Sequence, residues 1–194
     1  MASLVLSGDT SGSITVSAPA VSGSNTQTLV ATTGTLAPIV SGTAVTASGS
    51  SVDFTSIPSW VKRITVMLVG VSTAAAGTVR IRIGSSSGLV TTGYAGGAMS
   101  NTTAPANGAV NLGSSPEGIG GFTTTDGTTL VYGSFVVTNV TGNTWVASGM
   151  LYRLNDSIAA YSNGSIALSG ILDRISVVAT TSTFDAGTIN ILYE

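Results

Sequence analysis

This chain of 194 residues contains neither cysteine nor histidine. The first absence excludes disulfides and thiolate metal sites and leaves the redox compartment open. The second removes the commonest general base and the commonest metal ligand. Together they exclude Ser-His-Asp and Cys-His nucleophilic arrangements. Charge is scarce as well. Asp, Glu, Lys and Arg make up 7% of the chain, against roughly 25% in an average soluble protein. The six cations, Lys62, Arg63, Arg80, Arg82, Arg153 and Arg174, form no stripe that would neutralise a run of phosphates, so nucleic acid is excluded as a partner. Long apolar runs are missing too. Mean hydropathy is +0.49, yet a run such as VMLVGV at 66–71 is too short to cross a bilayer. The girdle aromatics and regular hairpin spacing of a membrane barrel are not seen, and no membrane insertion is expected. No secretory signal is legible at the N-terminus.

The eight carboxylates, Asp9, Asp53, Glu117, Asp126, Asp156, Asp173, Asp185 and Glu194, come with no glycosidase-like motif. Asp126-Gly127 reads as a turn, Asp173-Arg174 as a local ion pair or strand start, and Asp185 as part of a turn before the last strand. No spaced acidic loop suits calcium, and the Gly-rich GSSPEGIGG lacks the flanking strand and helix of a phosphate cradle. Asn-x-Ser/Thr triplets at Asn101, Asn139, Asn155 and Asn163 are expected by chance in a chain this rich in Ser and Thr. The sequence thus assigns no catalytic, cofactor-binding or metal-binding residue, and a non-enzymatic protein is expected.

What is present is strand-forming. Hydrophobic residues are 43% of the chain, enough for one ordinary core. Val, Ile, Thr and Tyr dominate the apolar runs, and Gly and Ser interrupt them about every ten residues, so no helical stripe forms. In WVKRITVMLVGV, Ile64, Val66 and Leu68 share one face; in TVRIRI, Val79, Ile81 and Ile83 point inward while Arg80 and Arg82 share the other. Further strands are read at 130–140, 144–153, 164–168, 175–180 and 188–193, with a hairpin turn at Thr141-Gly142-Asn143. The expected fold is all-β: an extended β arm and linker over 1–49, then a jelly-roll-like β-sandwich over 50–194. The arm carries short strands at 13–17 and 27–31 and a linker at 35–49. Alone these strands bury too little to be stable, so they need a partner. Ile14, Val16, Val21, Leu29 and Leu36 are the apolar residues of this assembly arm. Residues 84–121, rich in Gly, Ser, Asn and Pro, read as long surface loops, where function usually lies.

Aromatics are only 6% of residues. Trp60 and Trp145 read as packing residues, while Tyr94, Phe122 and Tyr161 lie in loop-like surroundings and are candidates for contact with a surface ligand such as a sugar.

Two segments carry a resemblance. SGDTSGSITVSAPAVSGSNTQTLVATTGTL resembles the Ser/Thr/Gly-rich segment near the N-termini of fibre-type virion proteins of tailed bacteriophages. SVDFTSIPSWVKRITVMLVGVST, with GNTWVASG and the final FDAGTINILYE, resembles a small domain of phage structural proteins described as tail-fibre-like. The resemblance implies a non-enzymatic virion protein, made in the host cytoplasm and released by lysis. It implies a homotrimeric short fibre or spike, attached by its arm to other virion proteins and displaying a sandwich toward host-surface polysaccharide. A capsid decoration protein and a carbohydrate-binding module are the alternatives. A trimer would also explain how so uncharged a surface persists in water.

Overall fold

The computed structural model describes residues 3–7, 11–17, 38–101, 109–114, 117–155 and 157–194, in two compact units, 1–36 and 37–194. The first contains an antiparallel hairpin, β1 (Ser3–Ser7) with β2 (Ser13–Ser17), in a register that pairs Ser3 with Ser17 and Leu6 with Ile14. Val16 is 59% exposed. The side chain of Ile14, the expected strand at 27–31, and Val21, Leu29 and Leu36 lie outside the described residues.

The second unit is the all-β sandwich. Its larger sheet holds β3 (Val40–Ser41), β4 (Val45–Thr46), β6 (Arg63–Thr73), β9 (Ala95–Asn101), β10 (Ala109–Ser114), β12 (Val131–Thr141), β13 (Thr144–Arg153), β14 (Ile158–Ala167) and β16 (Phe184–Tyr193). They run in the order β10-β9-β14-β13-β12-β6-β16-β3, with β4 also on β16. The smaller sheet is β11 (Gly120–Thr124), β7 (Gly77–Ser85), β15 (Leu172–Ala179) and β5 (Ser51–Phe54), with β8 (Gly88–Leu89) beside β7. Every pairing is antiparallel. From β5 to β7, and again from β14 to β16, the chain alternates between sheets; β12, β13 and β14 form a meander that widens one of them.

The core follows the alternation. Ile64, Val66 and Leu68 from β6 meet Val79, Ile81 and Ile83 from β7, with Phe122, Phe135, Leu151, Ile175 and Ile189 filling the space between. Such period-2 patterning fixes register, because a one-residue slip would turn these side chains to water. The hairpin expected around Thr141-Gly142-Asn143 is present: Thr141 pairs with Thr144 across Gly142-Asn143, with Gly142 at φ +51°.

Two expected segments differ. The composition of 35–49 predicts a linker, but β3 and β4 pair with β16, and Gly42 N–H and Ala47 N–H donate to Ile191 O and Gly187 O at 2.8 and 2.9 Å. Strands of two residues are too short to leave a periodic signal. The composition of 84–121 predicts surface loops, but β8, β9, β10 and the start of β11 lie there. Their Gly and Ser content reflects close backbone approach: a Cβ on Gly96 would sit 2.2 Å from Asn163 O.

Candidate functional site

With Ile64, Val66 and Leu68 turned inward, β6 presents Thr65, Met67 and Val69 outward, and its neighbours do the same. The register draws Met99, Tyr161, Met150, Ser134, Met67 and Asn190 into one line across six strands of the larger sheet. The next line is Gly97, Asn163, Ser148, Val136, Thr65 and Leu192; a third is Ala95, Ser165, Val146, Thr138 and Arg63. Val69, Val140, Met150, Met99 and Tyr152 are all exposed there, Val69 at 61%. Arg63 is the one charge in these lines, and it is paired with Glu194.

The outer face of the smaller sheet is different. Arg80 and Arg82 on β7, Arg174 on β15 and Asp53 on β5 stand there. Arg82 Nε donates to Glu117 O at 2.8 Å, and Arg174 Nε to Asp173 Oδ1 at 2.8 Å, the ion pair expected from the sequence. Burial pulls the Arg80 guanidinium below its usual range, partly opposed by the charge of Glu117. Three further carboxylates are held by hydroxyl or amide groups. Asp53 accepts from Ser51 Oγ at 3.0 Å and from Ser176 Oγ, Asp185 accepts from Ser72 Oγ, and Asp126 closes its expected turn by accepting from Thr128 N and Oγ1 at 2.8 and 2.9 Å. Those bonds hold the Asp126 carboxyl below its ordinary range. Among the described residues, no three His, Cys, Asp or Glu side chains gather into a metal-binding group.

The three aromatic candidates separate. Phe122 is in β11, 1% exposed and part of the core; an edge strand with two preceding glycines looked like a loop in the sequence. Tyr94 is also buried, 5% exposed, because its phenol ties β7 to the segment before β9: Oη accepts from Ile83 N at 3.1 Å and donates to Val90 O at 2.8 Å. Neither is a surface contact. Tyr161 lies in β14 rather than a loop, yet its ring is 41% exposed on the larger sheet's outer face. Trp145 is in the core, as expected, whereas Trp60 is half-exposed, with its ring tilted against Tyr193 at a centroid distance of 5.9 Å.

Burial raises the Tyr94 phenol's pKa, so above pH 10 the unfolded chain ionises there first and stability falls as pH rises. Tyr94→Phe leaves the Ile83 amide and Val90 carbonyl without this partner and is expected to cost about 1–2 kcal/mol in urea unfolding at neutral pH. A substitution that leaves the midpoint unchanged would assign the hydroxyl no structural role.

Sequence reasoning missed Met67, Val69, Met99, Met150 and Asn163. The alternation in 144–153 signals that Val146, Ser148, Met150 and Tyr152 share a face, but their neighbours are set by pairing distant in sequence. No family model, curated protein or solved structure matches this chain. Its chemistry is therefore read from the face itself, which offers apolar contact and neutral hydrogen bonding.

Proposed function

We propose that this protein is a non-enzymatic structural subunit of a tailed-phage virion, a homotrimeric short fibre or spike attached by its N-terminal arm. The supporting observation is the charge asymmetry of the sandwich. The outer face of the larger sheet, over β12, β6 and β16, carries Val69, Val140, Met67, Val136 and Leu192, and the charges on these strands are confined to Arg63, paired with Glu194, and Asp185 at the start of β16, held by Ser72 Oγ, while Arg80, Arg82, Arg174 and Asp53 stand on the opposite sheet. Further copies of the chain fit such a face, since apolar faces turned toward a shared three-fold axis meet with little charge repulsion and cover one another from water. Burial of Tyr94 and Phe122 removes two of the three residues that favoured host contact, so assembly is the reading with more support.

The full chain should sediment as a trimer at micromolar concentration, and the double variant Met67→Glu, Val69→Glu as a monomer with unchanged far-UV circular dichroism. Charge placed on an exposed strand face costs the isolated fold little but opposes association when copies align. A monomeric wild type, or a variant of unchanged mass, rejects this assembly surface. Gold-labelled antibodies on intact particles then locate the protein. Label at the tail tip supports the fibre or spike, label over the head supports the capsid decoration alternative, and unlabelled particles reject a virion role.

A further inference from the structure

At the other end of the same face, β9, β14 and β13 enclose a groove of about 590 Å³. It exists because Ala95 and Gly97 stand where β9 would otherwise present large side chains, so the ground beside Asn163 and Ser165 is low. Tyr161 and Met99 bound it on one side and Val146 on the other. We infer that this groove binds a neutral oligosaccharide, with the Tyr161 ring as an apolar platform and the Asn163 and Ser165 side chains as hydrogen-bonding partners. The inference stands apart from the virion reading, since it uses only the groove.

Three features select this ligand class. Among the described residues, the Tyr161 phenol, the Asn163 amide and the Ser165 hydroxyl make no hydrogen bond within the chain, so donors and acceptors of both kinds are open in one place. An acyl chain or apolar side chain laid here would strip those groups of water without replacing it. Among the described residues no charged one lines the groove, which leaves a phosphate, carboxylate or sulfate without a counter-ion. An exposed ring beside neutral polar groups matches a sugar, whose C–H faces are apolar and whose edges carry hydroxyls. Outward side chains on β14 repeat about every 7 Å, so Tyr161, Asn163 and Ser165 span about 14 Å, room for a short chain rather than one ring.

The test presents full-length protein with an array of neutral hexasaccharides built from glucose, galactose and mannose and of acidic ones from hyaluronan and alginate, followed by calorimetry with the strongest binder. Retention is expected on a neutral chain and not on the acidic ones. Tyr161→Ala should weaken binding about ten-fold, and Asn163→Ala several-fold. Tyr161→Phe, which keeps the ring and loses the hydroxyl, should weaken binding less than Tyr161→Ala does, and Trp60→Ala, which alters an exposed ring elsewhere, should bind like wild type. Tyr161→Ala should keep the wild-type sedimentation mass and melting temperature, while Met67→Glu, Val69→Glu should change the mass and keep sugar binding at the single-site level. Absence of binding to every neutral glycan, preference for the acidic ones, or unchanged binding by Tyr161→Ala overturns the inference. Loss of assembly in Tyr161→Ala also overturns it, by placing the ring in the subunit contact.

Discussion

Replacing Gly149 by alanine is expected to destabilise the sandwich by about 3 kcal/mol, the upper range for overpacking a core, and to lower its melting temperature by about 6–12 °C. Gly149 lies directly opposite Phe135 in the β12–β13 ladder, on the inner face. A Cβ at Gly149 would stand 2.2 Å from Cδ1 and 2.6 Å from Cγ of that ring, and one at Gly120 on the facing sheet would stand 3.1 Å from Cε1. The ring is 1% exposed, so it cannot swing into solvent to make room. Two strands thus leave out a side chain to seat one ring. The control is the reverse change. Phe135→Ala alone should cost about 3–5 kcal/mol through the cavity it leaves. In the double variant, the new methyl at Gly149 enters that cavity, so its cost should fall short of the sum by about 1–3 kcal/mol. Urea midpoints at constant m-value measure all three; strict additivity would mean that Gly149 and Phe135 do not share the space assigned to them.

This pair also marks what the sequence makes legible. The core faces of β6 and β7 are plain in it because Ile64, Val66, Leu68 and Val79, Ile81, Ile83 alternate with polar or charged residues, and burial on one side is what alternation encodes. Where a strand must pass close to another backbone, the same logic hides it. In β9, Ala95-Gly96-Gly97-Ala98 has no β-branched residue, yet it pairs with β14 through Gly97–Asn163 and Gly96–Gly164, and a Cβ on Gly164 would sit 2.3 Å from Ile119 O. Glycine there is demanded by close backbone approach, within the sheet at Gly96 and to the segment leading into β11 at Gly164, and reads in one dimension as a loop. That misreading placed Tyr94 and Phe122 on the surface. Tyr161 has loop-like surroundings in the sequence, and it is exposed because β9 sets the small residues Ala95 and Gly97 near it. The groove around it was not legible, since Met99, Val146 and Asn163 converge only through the β9–β14 and β13–β14 registers.

A chain beginning at residue 37 is expected to fold like the full protein, with the same far-UV circular dichroism and a melting temperature within a few degrees, whereas one beginning at residue 50 should be markedly weaker. The boundary matters because residues 38–49 belong to the sheet. Removing them takes away the Gly42 and Ala47 donors to Ile191 O and Gly187 O, the 2.7 Å bond from Phe184 N to Gly49 O, and the buried Ala47 side chain. With each backbone bond worth about 1 kcal/mol net, these three alone account for about 3 kcal/mol, or roughly 10 °C in a domain of this size, and the ladder pairs of β3 and β4 with β16 add to the loss. It also exposes the outer edge of β16 as a template for other strands, so the shorter chain should aggregate on heating. Equal stability of the two truncations would return 38–49 to the role of a linker. The chain from 37 then isolates what the arm does. If residues 1–36 attach the subunit, the folded sandwich without them should be missing from purified particles, with occupancy by quantitative mass spectrometry falling at least ten-fold, while its affinity for a sugar is unchanged. Incorporation at normal occupancy would place attachment in the sandwich itself, and the apolar face over β12, β6 and β16 would then be the surface to alter next.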